Sequence, residues 1–303
     1  MRGVLYRLFG LWCTVTVAFF MLRVLPGDAI SAQLTEAGMS ALQIDQRRAE
    51  LGLDQAALVQ YGVYWAMLLQ GDWGVSLVRD LPVSLMIGDA WRSTLILAGS
   101  ALLVSSGLGV ALGFAAASAS AIGALIARLW IGIALGAPLY WTGTLVIYAV
   151  ASQLKWLSLS GDNTLSALIL PVSLLSFHGA GAIARVTQTS IGARLSMEYV
   201  RTAHAKGLTL RRVWARHILP NSLIPIVTII GLQAGYLFGG TVITETLFLR
   251  PGIGRVLIDA TLRRDYPVVQ AIVVVMALIY TVIQIGLDYL YPLIDPRLWS
   301  SEA

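Results

Sequence analysis

Few residues of this sequence have the type and spacing that a chemical site requires. No GxxxxGK[ST] loop, which would cradle the phosphates of a nucleotide, occurs in the 303 residues. There is no HExxH motif and no set of His and Cys residues at metal-ligand spacing. No nucleophile with a partner base, as an intramembrane enzyme would need, is visible either. We therefore expect no catalytic residue, no metal site and no cofactor bound by this chain.

Polar side chains inside apolar segments are the remaining candidates for a site. They are few, namely Gln153, His178, Gln188, Gln233 and Gln284. A histidine titrates near neutral pH, so His178 could bind a proton or a metal ion. A lone histidine in a membrane is more often satisfied by a neighbouring helix, which is the interpretation that we favour. A proton-coupled secondary transporter is one alternative function class for a membrane protein. It would need ionisable side chains at mid-membrane, and His178 is the only candidate.

The composition indicates that membrane-spanning helices position these residues. Hydrophobic residues make up 57% of the chain and charged residues only 12%, about half of the ~25% that is usual in a soluble domain. The pI near 9.5 does not indicate nucleic acid, because the basic residues lie between apolar blocks. The single cysteine, Cys13, lies in an apolar run and cannot form an internal disulfide.

Apolar runs of about 20 residues predict an all-α membrane protein with six transmembrane helices. The first covers about residues 5–25, for which a signal peptide is the alternative interpretation. The others are predicted at about residues 93–117, 129–154, 164–184, 221–244 and 268–290. A tight turn at about residues 118–128 would join the second helix to the third. Three prolines inside predicted helices would free backbone carbonyls, often near a cavity: Pro138, Pro171 and Pro225.

The chain is expected to have four regions. They are a cytoplasmic N-terminus with the first helix (1–25), an external, periplasmic subdomain (26–92), a membrane domain (93–292) and a cytoplasmic tail (293–303). Within the subdomain, apolar spacing predicts helices at residues 41–51 and 56–69. Leaving out Arg23 and Asp288 as lying within spans, the predicted cytoplasmic side holds eleven Lys/Arg and three Asp/Glu, against nine and twelve outside. Both termini are therefore placed in the cytoplasm, although four arginines fall in an outer loop: Arg250, Arg255, Arg263 and Arg264.

Glycines at four-residue spacing predict close helix packing in the membrane. The spacing occurs in the second, third and fifth predicted helices, at Gly109 and Gly113, at Gly132 and Gly136, and at Gly231, Gly235 and Gly239. A glycine has no side chain to separate two helices, so their backbones can approach closely. Faces of this kind could also let helices slide or rock during transport.

The basic segment at residues 199–220 combines charge with a pattern that a surface loop does not need. Two short helical stretches are separated by Gly207, which can adopt a positive φ and so permits a sharp turn. The first stretch places Tyr199, Val200 and Ala203 on one side. The second places Leu210, Val213, Trp214 and His217 on one side. From these residues alone, an amphipathic helix on anionic lipid and a docking element for a protein remain open.

This segment resembles the EAA loop of ABC-importer permeases. The similarity lies in Ala203, in Gly207 after three intervening residues, and in Leu219-Pro220. Arg201-Thr202 stands where the general pattern has Glu-Ala, and His217 stands where it has an aliphatic residue. These departures are similar to the dipeptide/oligopeptide/nickel branch, in which an Arg-Thr-Ala sequence is followed by Ala-Lys-Gly-Leu. Motifs similar to that branch recur along nearly the whole chain: Leu25-Pro26-Gly27-Asp28, Leu51-Gly52-Leu53-Asp54-Gln55, Gln60-Tyr61, residues 71–76, Gly239-Gly240, Glu245, residues 251–254, residues 264–267 and Asp295-Pro296-Arg297. Ala56, where a proline is common, and the short loop at Arg128 depart from it.

The resemblance implies the type I fold of ABC-importer permeases with a cytoplasmic EAA coupling helix. In that family the loop docks on an ATP-binding subunit, which implies ATPase-coupling contacts for Tyr199, Arg201, Thr202, Ala203, Ala205, Lys206, Gly207, Leu208, Leu219 and Pro220. The implied partners are a second homologous permease, two ATP-binding subunits that carry ATP and Mg, an external solute-binding protein and membrane lipid. The implied location is the bacterial inner membrane, crossed several times.

Short peptides are the substrate that the resemblance favours, and nickel or a metal-chelator complex is the alternative. The chain would form half of the translocation pathway. The outer-loop arginines would contact the solute-binding protein or the partner permease, or else pair with Asp259 and Asp265. Neither the substrate-lining residues nor the substrate follow from the sequence.

Overall fold

A computed structural model describes residues 2–24, 40–50, 52, 54–117, 121–153 and 165–294. In these residues the regular structure is helical, apart from one isolated β-bridge between Val75 and Pro82. The helices are α1 (Arg2–Val24), α2 (Ala41–Glu50), α3 (Ala57–Leu69), α4 (Val83–Ala117), α5 (Ala121–Gly136), α6 (Leu139–Val146), α7 (Leu165–Leu195), α8 (Glu198–Ala205), α9 (Leu210–Val213), α10 (Leu219–Leu247), α11 (Ile253–Leu262) and α12 (Tyr266–Ile294). Two π-helical turns, Ile147–Gln153 and Trp214–Ile218, follow α6 and α9.

The described residues contain five helices that are long and apolar enough to cross a membrane, or six if one bent pair counts as a span. The five are Gly3–Arg23, Val83–Ala117, Ser166–Leu195, Arg211–Leu247 and Tyr266–Ile294. The predicted all-α class is confirmed. Two spans are longer than the apolar runs indicate, since α4 begins ten residues before the predicted start at residue 93 and α7 continues eleven residues past residue 184. A helix can continue beyond the membrane edge, where charged residues end the apolar run.

The third predicted span is the bent pair. The sequence predicts one helix at about residues 129–154, whereas the structure has α5 and α6, bent by 107°. Pro138 stands at the break with φ −66° and ψ 137°, an extended conformation, and its ring nitrogen has no hydrogen to continue the helical bonding. The expected turn at residues 118–128 is also shorter, because α5 already begins at Ala121. Residues 118–120 lie outside the described part.

The described residues group into two compact units. The first comprises residues 1–92 and 252–279, and the second comprises residues 93–251 and 280–303. In the first unit, the bounds of α2 and α3 agree to within one residue with the helices predicted at 41–51 and 56–69. Its core consists of small and aliphatic side chains of α4, α11 and α12: Val83, Ala90, Ile253, Ala260, Val268, Ala271 and Ile272.

In the second unit, predicted glycine contacts are present in two helices. A Cβ placed on Gly109 would lie 2.7 Å from Ile183 Cβ, and one on Gly113 would overlap Thr187 Cβ, so the backbones of α4 and α7 approach closely there. On α10, Gly231 and Gly235 leave space for side chains of α12, namely Leu287 and Tyr280. A Cβ added to Gly132, Gly136 or Gly239 would meet no atom of the described residues within 4 Å, so the predicted close packing does not occur at these three glycines.

Candidate functional site

The basic segment forms the helix, glycine turn and helix that its sequence predicts. Helix α8 ends at Ala205, and Gly207 adopts φ +74°. The Leu208 N–H donates to the Ala203 carbonyl at 3.2 Å, which is the bond that closes a helix when the residue before the donor is left-handed. Glycine is favoured there because a side chain in this conformation is strained. A Cβ on Gly207 would meet no atom within 4 Å, so backbone conformation, and not space, favours glycine.

The second half of the segment leads directly into a membrane-spanning helix. The N–H groups of Arg212 and Val213 both donate to the Thr209 carbonyl, at 2.9 and 3.0 Å, and so begin α9. The wider π-helical turn Trp214–Ile218 then joins α9 to α10. Pro220 is the second residue of α10 and has no N–H to donate to the turn before it. Movement of the segment would therefore be passed to α10 through continuous helical backbone.

One face of the segment is buried against the protein. Five residues form what we call the anchor cluster, each at most 5% exposed: Ile191, Val200, Ala203, Val213 and Ile218. Side chains from the ends of α4 and α7 pack on it, including Phe114, Ala117 and Leu195. The Phe114 and Trp214 rings lie 5.6 Å apart. The apolar face is therefore occupied by protein, whereas a helix lying on lipid would need that face for the membrane.

The opposite face is exposed and basic. The arginines and the lysine on it are Arg201, Lys206, Arg211, Arg212 and Arg216. Of the ten residues predicted to contact an ATPase, seven are exposed: Tyr199, Arg201, Thr202, Ala205, Lys206, Gly207 and Pro220. Leu208 and Leu219 are half-buried. Ala203 is 5% exposed and belongs to the anchor cluster, so it positions the segment instead of offering a surface.

A buried polar cluster at the far end of α10 was missed by the sequence reasoning. Glu245 and Arg250 are both 0% exposed. The Thr94 hydroxyl donates to Glu245 Oε1 at 2.6 Å, and Arg250 Nη2 donates to Ser93 Oγ at 3.2 Å. Arg250 was expected among outer-loop arginines that would contact another protein or else pair with Asp259 and Asp265, and its burial contradicts the first of these alternatives for Arg250. The sequence feature that could have indicated this cluster is the carboxylate of Glu245 and the guanidinium of Arg250, five residues apart at the end of an apolar helix.

In the first unit, the aspartate of one family-like motif binds the serine of another. The Ser76 hydroxyl donates to Asp265 Oδ2, and the Leu77 N–H donates to Asp265 Oδ1 at 3.1 Å. Asp265 is 2% exposed, while Arg263 and Arg264 are exposed. The carboxylate therefore holds the turn at residues 76–81. Some of the motifs that resemble the family lie outside the described residues. These are residues 25–28 and 295–297, together with residues 51 and 53 of the motif at 51–55.

His178 is held by neighbouring helices, as predicted. Its Nδ1 lies 2.9 Å from the Ala134 carbonyl of α5, to which it must donate. Its Nε2 lies 2.7 Å from the Thr142 hydroxyl of α6. Both nitrogens are thus engaged, and His178 offers no lone pair to a metal ion in this arrangement. Among the described residues, no group of three His, Cys, Asp or Glu side chains could hold a metal.

Comparisons with known proteins agree on one family. Residues 109–300 match the model of the binding-protein-dependent transport system inner membrane component. A probable peptide ABC transporter permease protein of Sinorhizobium fredii is 35% identical over 92% of each chain. The glutathione transport system permease protein of Salmonella typhimurium is 36% identical over 97% of this chain and 98% of its own. The dipeptide transport system permease protein of Escherichia coli K12 is 33% identical over 93% of each.

Solved structures show the same fold at lower identity. A methionine ABC transporter in an inward-facing conformation has a TM-score of 0.58 at 14% identity, covering 70% of this chain and 97% of its own. An amino acid ABC transporter gives 0.53 at 21% identity, over 71% and 94%. The chain belongs to the family of binding-protein-dependent transport system inner membrane components and is a multi-pass permease subunit of the inner membrane.

Proposed function

We infer that this chain is a permease subunit of an ATP-driven importer of short peptides, and that its 199–220 segment docks on an ATP-binding subunit. The observation that carries the proposal is the geometry of this segment. Its basic face is exposed, its apolar face is fixed by the anchor cluster, and its backbone continues into α10.

The anchor cluster explains how docking would drive movement in the membrane. Val200 and Ala203 of α8 pack against Ile191 of α7, and Val213 and Ile218 precede α10. A displacement of α8 would thus act on two spanning helices at once. Packed cores move as bodies rather than deforming continuously. ATP-driven closure of the partner subunits would then rock these helices between inward- and outward-open states.

The remaining parts of the proposal follow from the family. The docking segment and both termini are placed in the cytoplasm by the excess of basic residues. The transporter would contain a second homologous permease, two ATP-binding subunits with ATP and Mg, and an external solute-binding protein. The named substrates of the relatives, peptide, dipeptide and glutathione, support a short peptide as cargo. Nickel or a metal-chelator complex is the second substrate class.

Copurification followed by an ATPase assay tests the proposal. The permease is expressed with its partner subunits, purified in detergent through a tag on this chain, and reconstituted with the solute-binding protein. We expect two ATP-binding subunits to copurify, and we expect di- and tripeptides to stimulate ATP hydrolysis. Stimulation by nickel or its chelates alone would replace the peptide assignment. Absence of any bound ATPase would contradict the docking role of residues 199–220.

A further inference from the structure

A cavity of about 350 Å³ lies at the break between α5 and α6, in the second unit. We call it the helix-break cavity, and the residues that matter for its chemistry are Gly136, Ala137, Pro138, His178, Gln233 and Tyr236. Its volume lies within the range of roughly 300–1,000 Å³ that is typical of small-molecule sites. In a membrane, non-helical backbone is tolerated only where protein buries it or where it lines such a cavity. The cavity therefore explains how a break in the helix is tolerated in this apolar segment.

His178 holds the cavity wall in position. Its Nδ1 donates to the Ala134 carbonyl in the last turn of α5, and its Nε2 lies 2.7 Å from Thr142 Oγ1 in α6. With Nδ1 protonated in a neutral ring, Nε2 can only accept, and it competes for the Thr142 proton with the Pro138 and Leu139 carbonyls, which lie farther away at 3.2 and 3.0 Å. The imidazole thus ties α7 to both pieces of the broken helix. It is a positioning residue, because both of its nitrogens are already used.

Gln233 has the opposite property. It lines the cavity from α10 and is 9% exposed, yet its buried Oε1 has no hydrogen-bond partner. A buried acceptor without a partner destabilises a protein, and most such groups in native structures are bonded. Oε1 itself is closed off, so a turn of the Gln233 side chain toward the cavity would let a donor supplied by a ligand satisfy it without a change in the backbone. Gln233 therefore has an amide oxygen that is left to accept a hydrogen bond from another molecule.

The chemistry of the lining indicates which donor it would be. No Asp, Glu, Lys or Arg belongs to the described residues that line the cavity, so a charged group would find no counter-ion there. We propose that the helix-break cavity is a subsite of the translocation pathway in which Gln233 Oε1 accepts a hydrogen bond from a backbone N–H of the peptide cargo. A backbone amide is common to all peptides, so such a subsite would bind cargo irrespective of its side chains. This inference rests on the proposed function, since it takes the cargo to be a peptide.

The test compares Gln233→Leu with the matched control Gln284→Leu. Gln284 is also buried, at 6% exposure, and its Nε2 lacks a partner, but it does not line the cavity. The complete transporter is reconstituted in proteoliposomes with its binding protein. Uptake is measured for a tripeptide and for the same tripeptide with N-methylated backbone amides, which cannot donate. We expect the preference for the unmethylated peptide to fall about fivefold in Gln233→Leu, the value of one hydrogen bond, and to be unchanged in Gln284→Leu.

The binding protein is the same in all samples, so its own preference cancels when variants are compared. Gln233→Leu should assemble as well as the wild type, because it removes a buried polar atom without a partner. Basal ATP hydrolysis of the purified complex checks this. An unchanged preference in Gln233→Leu, with wild-type peptide uptake, would overturn the subsite alone. A complex that takes up no peptide would overturn both the proposed cargo and the subsite.

Discussion

The two ends of helix α10 carry charge in opposite ways. Before the helix begins at Leu219, the arginines are exposed and an apolar cluster holds the segment in place. At its other end, the carboxylate of Glu245 in the last turn and the guanidinium of Arg250 just beyond Leu247 are fully buried, with hydroxyl partners from α4. One helix therefore connects a basic surface that is open to other proteins with a polar cluster that is closed to them.

The exposure of a charged side chain determines whether it can take part in an interface. Exposed charges are hydrated, and replacing one changes the stability of a protein little. Buried charges have given up hydration for internal partners, so removing one group leaves the other unsatisfied. The charged residues before the start of α10 are thus suited to recognition. The charged residues at its end, near Arg250, are suited to stabilising the fold.

Gly207→Val should abolish coupled transport. Gly207 is at φ +74°, where a β-branched residue is strongly strained, so the turn between α8 and α9 would rearrange. We expect uptake driven by ATP to fall more than tenfold while membrane insertion is retained. Uptake and ATP hydrolysis are measured in proteoliposomes.

Gly192→Val is the matched control, because Gly192 is exposed on α7 and a Cβ there also meets no atom within 4 Å. Gly207→Asn should retain most activity, since Asn tolerates the left-handed region. Normal peptide-stimulated ATP hydrolysis in Gly207→Val would show that this turn does not couple the ATPase to the membrane.

Glu245→Ala should destabilise the permease severely. Removing one partner from a buried charged cluster costs about 3–5 kcal/mol, and the Thr94 hydroxyl would lose its acceptor at 2.6 Å. Thermal unfolding of the purified complex in detergent measures the effect. Glu245→Gln, which keeps an acceptor for Thr94, should be milder. A Glu245→Ala protein as stable as the wild type but inactive would move this end of α10 from a structural role to a functional one.

Ile218→Ala should loosen the anchor cluster. Ile218 is 0% exposed, and deleting a buried aliphatic side chain typically costs about 2–5 kcal/mol. We expect a lower melting temperature together with fewer peptides transported per ATP hydrolysed, because a loosened segment transmits less displacement. Ile122→Ala, at a 75% exposed position, serves as the control. An unchanged transport ratio would indicate that the cluster only stabilises the segment.

Replacing Arg211 and Arg212 together by Ala should have the smallest effect on stability. Both side chains are exposed, so each change should cost less than about 0.5 kcal/mol. Binding of the ATP-binding subunits should nevertheless weaken and lose part of its salt dependence, because exposed charges steer association. Titration of the purified subunits at two salt concentrations measures both. Unaltered binding at low salt would place the docking surface elsewhere.

Much of the placement of the spanning helices along the chain was predictable, because burying backbone in lipid demands long apolar helices whose length shows in the sequence. The Gly207 turn was predictable for a similar local reason, since a hinge between two amphipathic stretches depends on neighbouring residues only. The 107° bend at Pro138 was not. An apolar run has the same hydropathy whether its helix is straight or broken, and a proline within a span can be tolerated without a bend of that size.

The features that could be predicted from residue types and spacing are therefore local or cumulative: the helical class, the number of apolar runs, the turn at Gly207 and the family to which the motifs point. Which polar groups are enclosed together depends on the tertiary structure. It brought Glu245 to Thr94 and Asp265 to Ser76, over 151 and 189 residues of chain, and it left the amide oxygen of Gln233 without a partner beside the helix break. Burial and hydrogen bonding depend on which helices meet, and residue types and spacing within one helix do not contain that information.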